Sequence, residues 1–129
     1  MRLGMSISSG QHDGAALASP SHMLERTRAA YGEGFHTLTL GDHHNVAHPH
    51  LHAGPMMGRL LADWRGRPAG PLLILPLWHP LMAAEQIATL AAMHDDRLIV
   101  QVAAGNGAAR SQAQSGASGG AGTVGGRDG

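Results

Sequence analysis

Over residues 2–102 the chain alternates between short apolar blocks with strand-like spacing and longer ones with helical spacing. Residues 2–8, Arg-Leu-Gly-Met-Ser-Ile-Ser, predict a first strand that ends in a Gly-rich loop at Ser9 to Ala18. Ser19-Pro20 then supplies an N-cap with proline at the first helical position. Met23, Leu24, Thr27, Ala30 and Tyr31 recur at helical spacing until Gly32 and Gly34 stop the helix. Phe35 to Leu40 alternates and is rich in Thr and Leu, which predicts a second strand. Met56, Met57, Leu60, Leu61 and Trp64 predict a second helix after Gly54-Pro55. Residues 72–75 are continuously apolar and predict a third strand buried on both faces. Pro68 and Pro71 sit where that strand should begin, and neither can donate a ladder hydrogen bond. Pro80 opens a third helix through Met93, and Leu98 to Val102 predicts a fourth strand.

The resulting βαβαβαβ order calls for a parallel sheet with right-handed crossovers. Periodicity alone leaves a doubly wound sheet and half of a barrel both open. In either, the chemistry belongs at the strand C-termini: Ser8 to Asp13, Gly41 to His52, Leu75 to His79 and Ala103 to Gly107.

Composition divides the chain in two. Residues 105–129 hold nine Gly, and Val124 is their one large apolar side chain. Such a stretch buries too little surface to offset its ordering entropy, so a domain over 1–104 and a disordered Gly/Ser/Ala-rich tail over 105–129 are expected. Nine Arg balance nine Asp+Glu, with no Lys, which excludes a strongly basic nucleic-acid groove. The absence of Cys excludes a disulfide scaffold and thiolate zinc sites and suits a reducing compartment. No apolar run approaches the ~20 residues that span a bilayer, so a cytoplasmic protein without nucleic-acid or membrane partners is expected.

Four segments resemble the bacterial luciferase-like superfamily of flavin-dependent oxidoreductases, whose members fold as (β/α)8 barrels. Residues 34–44, Gly-Phe-His-Thr-Leu-Thr-Leu-Gly-Asp-His-His, are similar to that family's second strand, which ends in an acidic residue followed by His. Residues 75–85, Leu-Pro-Leu-Trp-His-Pro-Leu-Met-Ala-Ala-Glu, resemble its Leu-Pro…His-Pro…Ala-Glu signature. Residues 86–97 resemble its third helix, and residues 98–107 its fourth strand with a Gly-rich exit.

The resemblance implies an α/β fold: the N-terminal half of a (β/α)8 TIM barrel, about four βα repeats, followed by the tail. It implies monooxygenation or hydride transfer on a small organic substrate, with reduced FMN or a deazaflavin as cofactor. A homodimer or a flavin reductase partner is implied as well. By the same carry-over His43 is the proton-handling residue, oriented by Asp42, with His44 beside it; an imidazole suits that task because its pKa is near neutral. Leu75, Trp78 and Gly105 are the implied cofactor-binding positions. With one half present, the chain is expected to be a truncated fragment, inactive or weakly active, that binds flavin weakly or not at all alone. A frameshift or premature end in a GC-rich reading frame would account for the change of composition after about Asn106.

Other chemistry competes for some of these residues. His48, His50 and His52 alternate with Pro49 and Leu51, so an extended loop would present all three on one side to Zn or Ni. No carboxylate or Cys flanks the run, and a solvated loop without a metal is the favoured reading; a His-rich metal-binding or interaction module is the alternative. Gly-Asp-His-His also resembles the two-metal Asp-His-His phosphoesterases, but the further acids available, Asp13 and Asp95-Asp96, include a pair on the wrong side of the sheet. His79 is expected to cap the helix that Pro80 begins, and Glu85 to favour its dipole. Gly120-Ala-Gly122-Thr-Val-Gly125 fits a dinucleotide fingerprint but lacks the strand and helix that the motif requires.

Overall fold

Proline opens two of the helices. In the computed structural model, which describes residues 1–9, 20–44 and 50–105, helix α1 runs Pro20–Gly32 and α3 runs Pro80–Met93. At either position the fixed φ suits the first turn, where a missing N–H costs nothing. Beyond α1 the chain turns through Gly34, whose φ of +81° is a left-handed conformation that favours glycine. Helix α2 spans Ala53–Leu61 and so begins ahead of the Gly54-Pro55 pair expected to precede it. The strands are β1 (Gly4–Ile7), β2 (Thr37–Leu40), β3 (Ala69–Ile74) and β4 (Gln101–Ala103), each differing by a few residues from its predicted span.

All three strand pairings are parallel, in the order β1-β2-β3-β4. This is the arrangement of half a (β/α)8 barrel, with successive strands adjacent and a helix on each of the three crossovers. Ile7, Leu38, Leu40, Ala69 and Leu73 are buried, and the first four pack with Met23, Ala30, Met57, Leu60 and Trp64 of the helical layer. Each large side chain buried here contributes about 1.5–3 kcal/mol. Alternation sends Gly4, Ser6, Thr37, Thr39, Gly70, Leu72 and Ile74 to the opposite face, where small and hydroxyl side chains dominate.

The third strand corrects the sequence reading. It starts at Ala69 and contains Pro71, while Leu75 falls in a short 3-10 turn, Leu75–Leu77. Pro71 is tolerated because of where its nitrogen points. Ala69 exchanges bonds with Arg97 and Ile99 on the β4 side, so alternation aims Pro71 at β4 too. There the β3–β4 pairing is interrupted, between the Ala69–Leu98 bridge and the Leu72–Gln101 pair. Across the same gap the Ile99 carbonyl presses on Gly70, leaving no room for a Cβ. This irregularity also shortens β4 from the predicted residues 98–102.

Two further contacts fix the layers. Gly54 of α2 lies directly against the Gln86 side chain of α3, and Gly58 faces Leu90 and Met93. At the N-terminal end of the sheet Arg67 donates to the carbonyls of Tyr31 (2.8 Å) and Phe35 (2.9 Å). Its guanidinium lies 3.9 Å from the Tyr31 ring centre, and the Trp64 indole beside it donates to Pro68 O (3.3 Å). Residues 106–129, and with them most of the expected tail and the Gly120–Gly125 motif, lie outside the described residues.

Candidate active site

Strand β2 ends at Leu40, and the next residues carry the chemistry. Asp42 is 4 % exposed, an unusual burial for a carboxylate, and its partners explain it. Oδ2 accepts the Ile74 N–H (3.0 Å) at the end of β3 and the Trp78 indole N–H (3.2 Å) just past the 3-10 turn. Oδ1 lies 2.9 Å from His44 Nε2, an ion-pair distance that misses hydrogen-bond alignment. One carboxylate therefore ties two strand ends together and holds an imidazole. A protonated His44, its side chain 28 % exposed, would form a charge pair with the buried carboxylate.

His43 does not make the contact with Asp42 that the resemblance implied. Its ring stacks on His50 at 4.2 Å and 13°, and its Nδ1 is buried without a hydrogen-bond partner. The imidazole against Asp42 is that of His44, not His43. His44 in turn meets His52 (5.7 Å) and Trp78 (6.1 Å) edge-on, and His52 meets Trp78 at 5.2 Å. Buried Ser9, just beyond β1, anchors the incoming segment: Leu51 N–H donates to its Oγ (2.9 Å), which stands 3.4 Å from His50 Nδ1.

The structure thus joins Asp42, His44 and Trp78 directly and sets His43 beside them on His50. Leu75 is 43 % exposed and opens the turn that carries Trp78, whose N–H donates to its carbonyl (3.0 Å). Gly105 leaves β4 with a φ of +74°, a conformation that favours glycine. His50 and His52 turn to different partners, and His48 lies outside the described residues. Among the described residues no group of three His, Asp or Glu could hold a metal ion. The acid pair sits at the far end of the sheet, where Asp95 Oδ1 accepts the Gly66 N–H (3.0 Å). That bond chiefly holds the Asp95 carboxyl below the usual carboxylate range. His79 caps α3 as expected, accepting from Leu81 N (3.3 Å).

Two contributors escape a reading of the sequence. Ser9 acts through a hydroxyl to a segment more than forty residues away, with no local signal. An apolar cavity of about 280 Å³ lies beside the cluster, lined by Pro20, Leu51, His52, Pro55, Met56 and Arg59. No helix among the described residues is long and apolar enough to cross a membrane. No curated protein matches the chain. The luciferase-like monooxygenase family model matches residues 1–118, and the chain belongs to that family.

Proposed function

We propose that these strand ends form the proton-handling part of a flavin-dependent oxidoreductase or monooxygenase site, taking FMN or a deazaflavin and a small organic substrate. The observation that carries the reading is the buried Asp42 carboxylate 2.9 Å from His44 Nε2 at the C-terminal end of a parallel strand. Membership of the luciferase-like monooxygenase family supports the reaction class.

The residues present fit a polar ring edge. His43 Nδ1 is buried without a hydrogen-bond partner, and Asp42 Oδ1 and His44 Nε2 face each other at 2.9 Å without hydrogen-bond alignment, so a ligand with donors and acceptors would supply bonds that these atoms lack. The small side chains of Ser6, Thr39 and Gly70 leave room on the sheet face that a barrel encloses. Asp42, His43, His44 and Trp78 would border the flavin, with Leu75 and Gly105 flanking it. A reduced flavin, when bound, supplies the hydride or the electrons that activate oxygen. His44 takes up or releases the proton at Nε2, and Asp42 steadies the imidazolium that forms. Trp78 and Ile74, donating to the other carboxylate oxygen, keep Asp42 aimed at His44. His43 is held by stacking and lies one residue away as a second imidazole.

Titration of FMN and of a deazaflavin with the 129-residue chain, followed by flavin fluorescence, tests the reading. Weak saturable quenching is expected, lost in His44→Ala and reduced in Trp78→Phe. No saturable change with either flavin, or quenching indifferent to both variants, would overturn it.

A further inference from the structure

We propose that the apolar cavity beside the histidine cluster binds a small aromatic carboxylic acid, with its ring against the prolines and its carboxylate on Arg59. The cavity, of about 280 Å³, is walled by Pro20, Leu51, His52, Pro55, Met56 and Arg59. It lies where the start of α1 meets the first turns of α2, the helices that precede and follow β2 in sequence. It therefore belongs to the inner repeats and owes nothing to an edge of the sheet.

The walls specify a shape. Pro20 and Pro55 present rigid rings that lose no side-chain freedom when a ligand lies on them. Leu51 is fixed from behind, since its N–H donates to the buried Ser9 Oγ at 2.9 Å. His52 leans on Trp78, with ring centres 5.2 Å apart. Met56 adds a thioether, and its sulfur favours an aromatic partner. Fixed walls reward a ligand that is itself rigid, because less freedom is lost on binding. A flat ring meets that condition and a flexible alkyl chain does not. The volume falls just below the ~300–1,000 Å³ of ordinary ligand pockets, which suits one ring with a short arm.

The charge specifies the other end. None of the six lining residues is acidic, and Arg59 is their one permanent cation. Its guanidinium stands 3.6 Å from Asp63, whose nearer cation is Arg28 at 3.2 Å. Asp63 keeps Arg28 when Arg59 turns, so an incoming carboxylate leaves no charge stranded. Arg59 lies seven residues beyond His52, about 10 Å along the axis of α2. A phenyl ring joined to its carboxylate by a two-carbon arm fits that span.

The ring end meets the chemistry. His52 lines the cavity and also contacts His44, ring centres 5.7 Å apart, beside Asp42. As the identity of the substrate, the aromatic acid rests on the flavin-site reading above. Its binding does not, and is measured without flavin.

Titration of the flavin-free 129-residue chain with 3-phenylpropanoate, followed by NMR, tests the proposal. Saturable shifts of the His52 ring and Trp78 indole signals are expected, with a dissociation constant on the order of 1 mM. The Trp64 indole, at the other end of the sheet, should not shift. Arg59→Gln, folded by circular dichroism, should bind the acid about two- to fivefold more weakly, as befits an exposed ion pair. The same variant should bind the neutral 3-phenylpropanamide as the wild-type chain does. Octanoate, which must order a flexible chain, should bind at least about twofold more weakly than 3-phenylpropanoate. No saturation by about ten times the expected constant overturns the proposal. So do shifts at Trp64 in place of Trp78, equal losses for acid and amide in Arg59→Gln, or octanoate bound as tightly. A chain that binds the acid yet quenches neither flavin would keep this subsite and lose the flavin reading.

Discussion

Removing the Asp42 side chain tests whether one carboxylate holds the strand ends together. Its side chain is 1 % exposed, and Oδ2 accepts from Ile74 N at 3.0 Å and Trp78 Nε1 at 3.2 Å. In Asp42→Ala both donors lose a charged acceptor, and a hydrogen bond of that kind is worth about 1.5–3 kcal/mol. Water can reach the half-buried Trp78, which places the sum near the lower end, about 3 kcal/mol. Asp42→Asn keeps an oxygen for both donors and trades charged bonds for neutral ones, a loss of about 1 kcal/mol. With a urea slope of about 1–1.5 kcal/mol/M, the midpoint should fall by about 2–3 M for Ala and by under about 1 M for Asn. Circular dichroism at increasing urea reads both. Equal losses for the two variants would show that the oxygen's acceptor role is not what matters. An Ala loss below about 1 kcal/mol would sink the idea of a tie altogether.

Gly70→Ala would drive a methyl into the Ile99 carbonyl, and since backbone cannot swing aside, a loss of about 2–3 kcal/mol is expected. Its control is Gly32→Ala, with open space at the Cβ, which should be neutral or stabilise by up to about 1 kcal/mol; thermal melts compare the two. Asp95 has a folded pKa lowered from 3.8, chiefly by the Gly66 N–H, so it adds stability that is present above 3.8 and lost as pH falls through the folded value. The wild-type advantage over Asp95→Asn should therefore hold at neutral pH and shrink in acid, as melts between pH 7 and pH 2.5 would record.

The sequence announced helix starts well because proline acts locally: Pro20 and Pro80 mark α1 and α3 without help from distant residues. The same rule misjudged Pro71, where the outcome depends on which neighbour its nitrogen faces, and that is a property of the sheet. The site shows a similar split. Asp42, His43 and His44 were legible as a group, but their pairing was assigned by adjacency. Extended backbone places residues two apart on one side, and that spacing was available to predict Asp42 with His44. Arg67 gave no sequence signal, since the carbonyls it binds belong to Tyr31 and Phe35, more than thirty residues earlier. Gly54 likewise looked like a helix-preceding glycine, and only the approach of Gln86 reveals its packing role.

The two tryptophans of the chain stand at opposite ends of the sheet. Trp64 is fully buried among Tyr31, Arg67 and the Pro68 carbonyl, whereas Trp78 is half-buried among His44, His52 and Asp42. Their emission is therefore separable by colour, bluer from the dry site and redder from the wetter one. The molecule carries one optical reporter for its scaffold and another for its chemistry. With Trp64→Phe, ligand events at the strand ends can be watched alone; with Trp78→Phe, the integrity of the core can be followed while the site is altered.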